Sequence, residues 1–270
     1  MQPSRSASPS RADLHAALCT RLGAVGALLR EAMRQADAQR QPVAWGWPVA
    51  LAALVLVYAN GLAWLGGPRQ AEPSALLATG NVASVPALLV AVALLYRRRW
   101  SALGFERCSF SRAGALGAAT GAVMALPAIA VFALPPLMGE PLRWEVASAM
   151  SARDVALRLF VHLTIGTALF EEVLFRGLLW NLAARAWGTA AAWLGTSVVF
   201  ALWHVVLTVH SVGQTNVPDE LTPLAVTLGL LGVFGGGLVF GALRLASGLL
   251  AATVAHWTVD ALILGALLLQ

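Results

Sequence analysis

The chain has 270 residues, of which 59% are hydrophobic and 11% charged, with a mean hydropathy of +0.74. A soluble domain carries about 25% charged residues, so this chain has too few charges to cover a water-facing surface of its size, and a soluble enzyme is all but excluded. The net charge is +5, every one of the 18 basic residues is Arg and none is Lys, which reads as the basic excess of membrane-protein loops and not as a nucleic-acid surface.

Residues 1–12 are rich in Ser, Arg and Pro and are expected to be disordered. From Asp13 to Ala38 apolar residues such as Leu14, Leu18, Leu22, Val25 and Leu29 alternate at helical spacing with Arg21, Arg30, Glu31 and Arg34. That pattern predicts a basic amphipathic helix on the membrane surface, with a solvated, partly helical tail as the alternative. This stretch has no apolar core of the kind a cleaved signal peptide needs. The two cysteines, Cys19 and Cys108, lie far apart and suggest neither a disulfide framework nor a zinc cluster.

Seven apolar segments follow, at 43–65, 75–96, 113–137, 155–183, 187–209, 223–243 and 247–268. Runs of about 20 apolar residues read as transmembrane helices, whereas a β-barrel would show short alternating segments. The expected architecture is all-α: a tail over 1–41 and a bundle of about seven membrane-spanning helices over 42–270. Six Arg lie in the tail, and Arg97, Arg98, Arg99, Arg107 and Arg112 in one loop, with Arg185 and Arg244 on the same side. The opposite loops hold only Arg69, Arg143 and Arg153, so the N-terminus is predicted inside. The run Gly235-Gly236-Gly237 reads as a helix-packing face, since no strand precedes it to make a phosphate loop. No inverted repeat of the transporter kind is apparent.

Ionisable residues inside apolar segments are costly in lipid and mark function by default. Here the set is Glu171, Glu172 and Arg176 in the fourth segment, His204 in the fifth, and His256 with Asp260 in the seventh. Residues four apart share a helix face, so Arg176 is expected to pair with Glu172. Glu171, rotated by about 100°, has no helical partner, as a general base requires. Phe200 sits one turn before His204. His256 and Asp260 are either a histidine oriented by a carboxylate or two metal ligands on one face. His162 and His210 are read as packing residues.

At these positions the chain resembles the CAAX prenyl protease and bacteriocin-processing (CPBP, Abi-type) family of intramembrane proteases. The motifs are Glu171-Glu172-x-x-x-Arg176, Phe200-x-x-x-His204 and His256-x-x-x-Asp260, and the resemblance spans about 155–268. It departs at Asp260, where the prenyl-protease branch usually has Asn. The resemblance implies a peptide-bond hydrolase in which Glu171 activates water, His204 is its partner, and His256 with position 260 forms an oxyanion hole or a metal site. His204 and His256 are the candidate zinc ligands, and a metal-free glutamate mechanism is the rival. The implied partners are a peptide or membrane-protein substrate and the lipid bilayer, without nucleic acid, in a bacterial inner membrane. Prenylated substrates belong to eukaryotic members. Two other readings stand beside the protease: a non-catalytic membrane scaffold or immunity protein, and a proton-coupled transporter, since buried Glu and His also relay protons.

Overall fold

A computed structural model describes residues 11–38, 42–66, 73–96, 109–133, 142–144, 146–147 and 150–269. The expected disordered segment 1–12 falls almost wholly outside these residues, as do Arg97, Arg98, Arg99 and Arg107. The described residues form helices: α1 Arg11–Ala38, α2 Gly46–Gly66, α3 Pro73–Tyr96, α4 Phe110–Ala133, α5 over 152–187, α6 Thr189–Trp203, α7 Val205–Val212, α8 Thr222–Ser247 and α9 Leu249–Leu268. No strand occurs among them, only an isolated antiparallel bridge between Trp144 and Thr215.

The all-α membrane bundle is therefore observed, while the count of about seven spans is approximate. Among the described residues five helices are long and apolar enough to cross a bilayer: Gly46–Gly66, Leu76–Leu94, Phe110–Val131, Asp219–Ser247 and Leu249–Leu268. The predicted fifth segment is broken into α6 and α7, bent by 43°, and supplies a sixth span if the pair crosses together. The remaining expected span, the predicted fourth segment, is α5, which carries Glu171, Glu172 and Arg176 near its middle and is not in that set. Ser151 caps its N-terminus through the Asp154 backbone, and the Asp154 carboxylate accepts in return from Ser151. Those hydrogen bonds, with the hydroxyl first, hold the Asp154 carboxyl below its ordinary pKa.

Helix α5 is wound unusually. Over Arg158–Leu169 and again over Val173–Leu179 it is π-helical. Thr164 Oγ1 reaches back five residues to the Leu159 carbonyl at 2.9 Å, following that wider register. π-turns are rare and cluster at functional sites; here the two stretches flank Glu171 and Glu172.

Close approach of backbones sets the packing. Helix α4 runs along α9, and a Cβ added at Gly117 would stand 2.5 Å from the Ala251 carbonyl oxygen. Gly166 brings α5 against α3 in the same way, where a Cβ would meet the Ala78 carbonyl oxygen at 2.5 Å. The Asn81 amide donates to the Gly166 carbonyl at 2.7 Å and satisfies a buried acceptor. From the glycine run, Gly237 meets Ser197 of α6, where a Cβ would lie 3.0 Å from the serine Cβ, so part of that run does form a packing face.

Two single glycines, Gly188 (φ 91°) and Gly248 (φ 95°), reverse the chain between α5 and α6 and between α8 and α9. Only glycine adopts that conformation without steric cost. The N-terminal helix is docked at this same end of the bundle. Asp37 accepts from the Thr189 N–H at 2.8 Å and from its hydroxyl at 2.7 Å, placing a carboxylate at the N-terminus of α6. Leu29 and Met33 pack beside Trp180, Ala183 and Leu245. A helix is present over Arg11–Ala38, and its Leu29 and Met33 turn toward the bundle.

Candidate active site

Three helices bring the six sequence-selected residues together. Helix α5 carries Glu171, Glu172 and Arg176, the junction of α6 and α7 carries His204, and α9 carries His256 and Asp260. From the glycine turns, His256 lies eight residues along α9 and His204 sixteen along α6, which is about 12 and about 24 Å of helix.

The expected Glu172–Arg176 pair is present. Arg176 Nη1 donates to Glu172 Oε1 at 3.0 Å, and both side chains are fully buried. The guanidinium lies over the rings of Phe200 at 4.2 Å and Phe240 at 5.3 Å. Its Nε and Nη2 have no hydrogen-bond partner among the described residues, so aromatic faces surround the charge where polar groups do not. Arg244 donates from Nε to the Arg176 carbonyl and stacks over Trp180 at 4.8 Å, bracing the backbone beneath.

Glu172 also reaches a second helix. Its Oε1 lies 3.0 Å from His256 Nδ1. A carboxylate only accepts, so this nitrogen carries the proton. Phe240 stacks on the same imidazole with centroids 4.8 Å apart and planes at 22°. His256 Nε2 faces Asp260 Oδ2 at 3.5 Å and Glu171 Oε2 at 4.0 Å. The ring is thus gripped on one edge by Glu172, on its face by Phe240, and on the other edge by carboxylates.

Glu171 has no partner on its own helix, as its rotation from Glu172 implies, but other helices supply them. The Trp203 indole donates to Oε1 at 3.3 Å. Oε2 has no hydrogen-bond partner among the described residues and looks toward His204 Nε2 at 3.7 Å and His256 Nε2 at 4.0 Å. His204 is held at its other nitrogen, where Nδ1 meets the Phe200 carbonyl at 2.8 Å. A carbonyl accepts, so Nδ1 is the donor and Nε2 of the neutral ring presents a lone pair to Glu171. Polar separations just beyond 3.5 Å are those a bridging water spans. His204 and Asp260 are the least buried members, with side chains 14% and 27% exposed, so the cluster opens on that edge.

The fit of a zinc ion was a sequence expectation for His204 and His256. Among the described residues no group of three or more His, Cys, Asp and Glu side chains is arranged to hold an ion. Both ring nitrogens of His256 face carboxylates, Nδ1 toward Glu172 and Nε2 toward Asp260 and Glu171. No step below is routed through a metal.

Four contributors escaped sequence reasoning. Trp203 and Phe240 look like ordinary apolar residues. Arg244 looks like a loop cation. Asn60 lies on α2, far from any motif, and its side chain bonds the Leu202 carbonyl and the Val206 N–H beside His204. Of the two histidines read as packing residues, His210 has a buried Nδ1 without a hydrogen-bond partner among the described residues.

A helical membrane protein with a buried carboxylate–histidine cluster assembled from three helices is the class defined here. Residues 154–262 match a family model described as type II CAAX prenyl endopeptidase Rce1-like. This portion of the chain is similar to that family, in agreement with its three motifs. No curated protein and no solved structure matches the chain.

Proposed function

We propose that the protein is an intramembrane endopeptidase in which Glu171 activates a water molecule. The observation that carries the reading is the unbonded Glu171 Oε2, facing the Nε2 atoms of His204 and His256 at 3.7 and 4.0 Å. A water seated there donates one hydrogen to Glu171 and the other to the His204 lone pair, which turns its own lone pair outward. Glu171 takes a proton as the water oxygen bonds to the peptide carbonyl carbon. With Nε2 also protonated, His256 donates to the resulting oxyanion, its ring fixed beforehand by Glu172 and Phe240. A fixed donor in a dry cavity acts more strongly than the same donor in water. Asp260 orients that ring. When the tetrahedral intermediate collapses, the carbon–nitrogen bond breaks and Glu171 returns its proton to the leaving amine. The substrate segment enters by the His204–Asp260 edge.

The chain is an integral membrane protein. The Arg excess of the tail supports a cytoplasmic N-terminus, and the composition suits a bacterial inner membrane. The family description names a CAAX prenyl endopeptidase, so the substrate panel includes farnesylated as well as unmodified peptides. The test incubates purified protein in detergent with that panel and locates cuts by mass spectrometry, with and without a chelator. The reading predicts internal cuts that survive chelation. Proton-driven flux in proteoliposomes without any cut would replace it with a transporter, and loss of every cut on chelation would replace the glutamate mechanism with a metal-dependent one.

A further inference from the structure

We propose that Asn60 is a positioning residue whose carboxamide, inserted into the broken α6–α7 backbone, fixes the direction of the His204 imidazole. In an unbroken α-helix the Val206 N–H would donate to the Leu202 carbonyl. Here the helix parts at His204, with φ −92° and ψ 0°, and the Asn60 side chain takes up both separated groups. Its Nδ2 donates to the Leu202 carbonyl at 3.1 Å and its Oδ1 accepts from the Val206 N–H at 3.2 Å. A further bond from Nδ2 to the Leu56 carbonyl of α2, at 3.1 Å, holds the amide in place. Sharp bends arise at Pro, at Gly, at π-turns, or where a side chain enters the hydrogen-bond ladder. Residues 200–206 contain neither Pro nor Gly, and the inserted side chain is the cause present.

The consequence reaches the imidazole. In a continuous helix the His204 N–H would occupy the Phe200 carbonyl. In the break it turns to the Ala201 carbonyl at 3.1 Å. The Phe200 carbonyl is thereby released to accept from His204 Nδ1 at 2.8 Å, and that contact points Nε2 at Glu171. Asn combines donor and acceptor on one short, uncharged arm, which suits a membrane interior. Asn60 lies outside residues 154–262, so the family match assigns it nothing. The inference rests on His204 being the partner of Glu171.

The test compares full-length wild type with Asn60→Leu in detergent, by peptide cleavage and by nitrogen NMR of labelled imidazoles. A misplacement of about 1 Å costs about 100-fold in rate, so kcat should fall by that order while KM stays within about threefold. The His204 Nδ1 resonance should move as its carbonyl partner is lost. Full kcat in Asn60→Leu overturns the proposal, as does a loss of kcat with the His204 resonance unmoved. Should Asn60→Leu not fold, hydrogen exchange in the wild type decides: slow exchange at the Val206 amide supports the inserted carboxamide, and exchange at the rate of an unpaired first-turn amide overturns it. If the wild type cleaves nothing, the endopeptidase reading fails, while the resonance and the exchange rate still test the role of Asn60.

Discussion

Replacing Arg176 by Met keeps the aliphatic stem and removes the charge. Its guanidinium is fully buried, 3.0 Å from Glu172 and under the Phe200 ring. Stripping one partner from a buried ion pair costs about 3–5 kcal/mol, because the other charge is left uncompensated. At about 2–4 °C per kcal/mol for a chain of this order of size, the melting temperature should drop by about 6–20 °C. Glu172→Gln should cost less stability, since an amide oxygen still accepts from Arg176, but more activity, since it loosens the Nδ1 grip on His256. The double variant Glu172→Gln with Arg176→Met removes both charges and should be more stable than Arg176→Met alone. The assay is thermal unfolding in one detergent at one scan rate, since membrane-protein melting reports kinetics as well as equilibrium. Strict additivity of the two single changes would refute the pairing, because residues in one buried network should couple.

Asp260→Asn should lower cleavage by about 10–100-fold, the usual cost of altering the carboxylate behind a functional imidazole; equal or higher activity would remove the orienting role. Trp203→Phe deletes the donor to Glu171 Oε1 while keeping an aromatic body, and a hydrogen bond to a charged group is worth about 1.5–3 kcal/mol. Its kcat should fall at least about tenfold with the fold intact, and an unchanged rate would leave the indole a packing group only. Gly121→Ala puts a methyl against the Ala255 carbonyl, next to His256. Overpacking costs about 1–3 kcal/mol, so melting temperature and activity should fall together, and an unaltered melting temperature would contradict the close α4–α9 contact.

Much of the site was legible because it follows helical geometry. The spacings Glu172 to Arg176 and His256 to Asp260 become contacts of 3.0 and 3.5 Å on single helix faces. Charge inside apolar runs selected these residues without knowledge of how the helices meet. What remained hidden depends on tertiary contact. The bond between Glu172 and His256 joins residues 84 apart, and no local pattern announces it. The break at His204 has no Pro or Gly to mark it, because its cause sits on α2. The π-winding of α5 carries no sequence signature of its own. The docking of α1 rests on Asp37, which in sequence is one more charge on an amphipathic stretch. The expected count of about seven spans is approximate because α5 carries charged residues within its apolar run and the α6–α7 helix is broken at His204.

The central claim is that Glu171 is the base, and Glu171→Gln tests it most directly. The amide preserves size and keeps an oxygen toward Trp203, but it cannot take a proton from water. Purified wild type and Glu171→Gln are compared on the same peptide panel, with melting temperature measured alongside. The account predicts a variant that folds as well as the wild type and whose cleavage rate is lower by at least about 100–10,000-fold, the range general-base catalysis contributes. A folded Glu171→Gln variant that cleaves at a near-normal rate would contradict it.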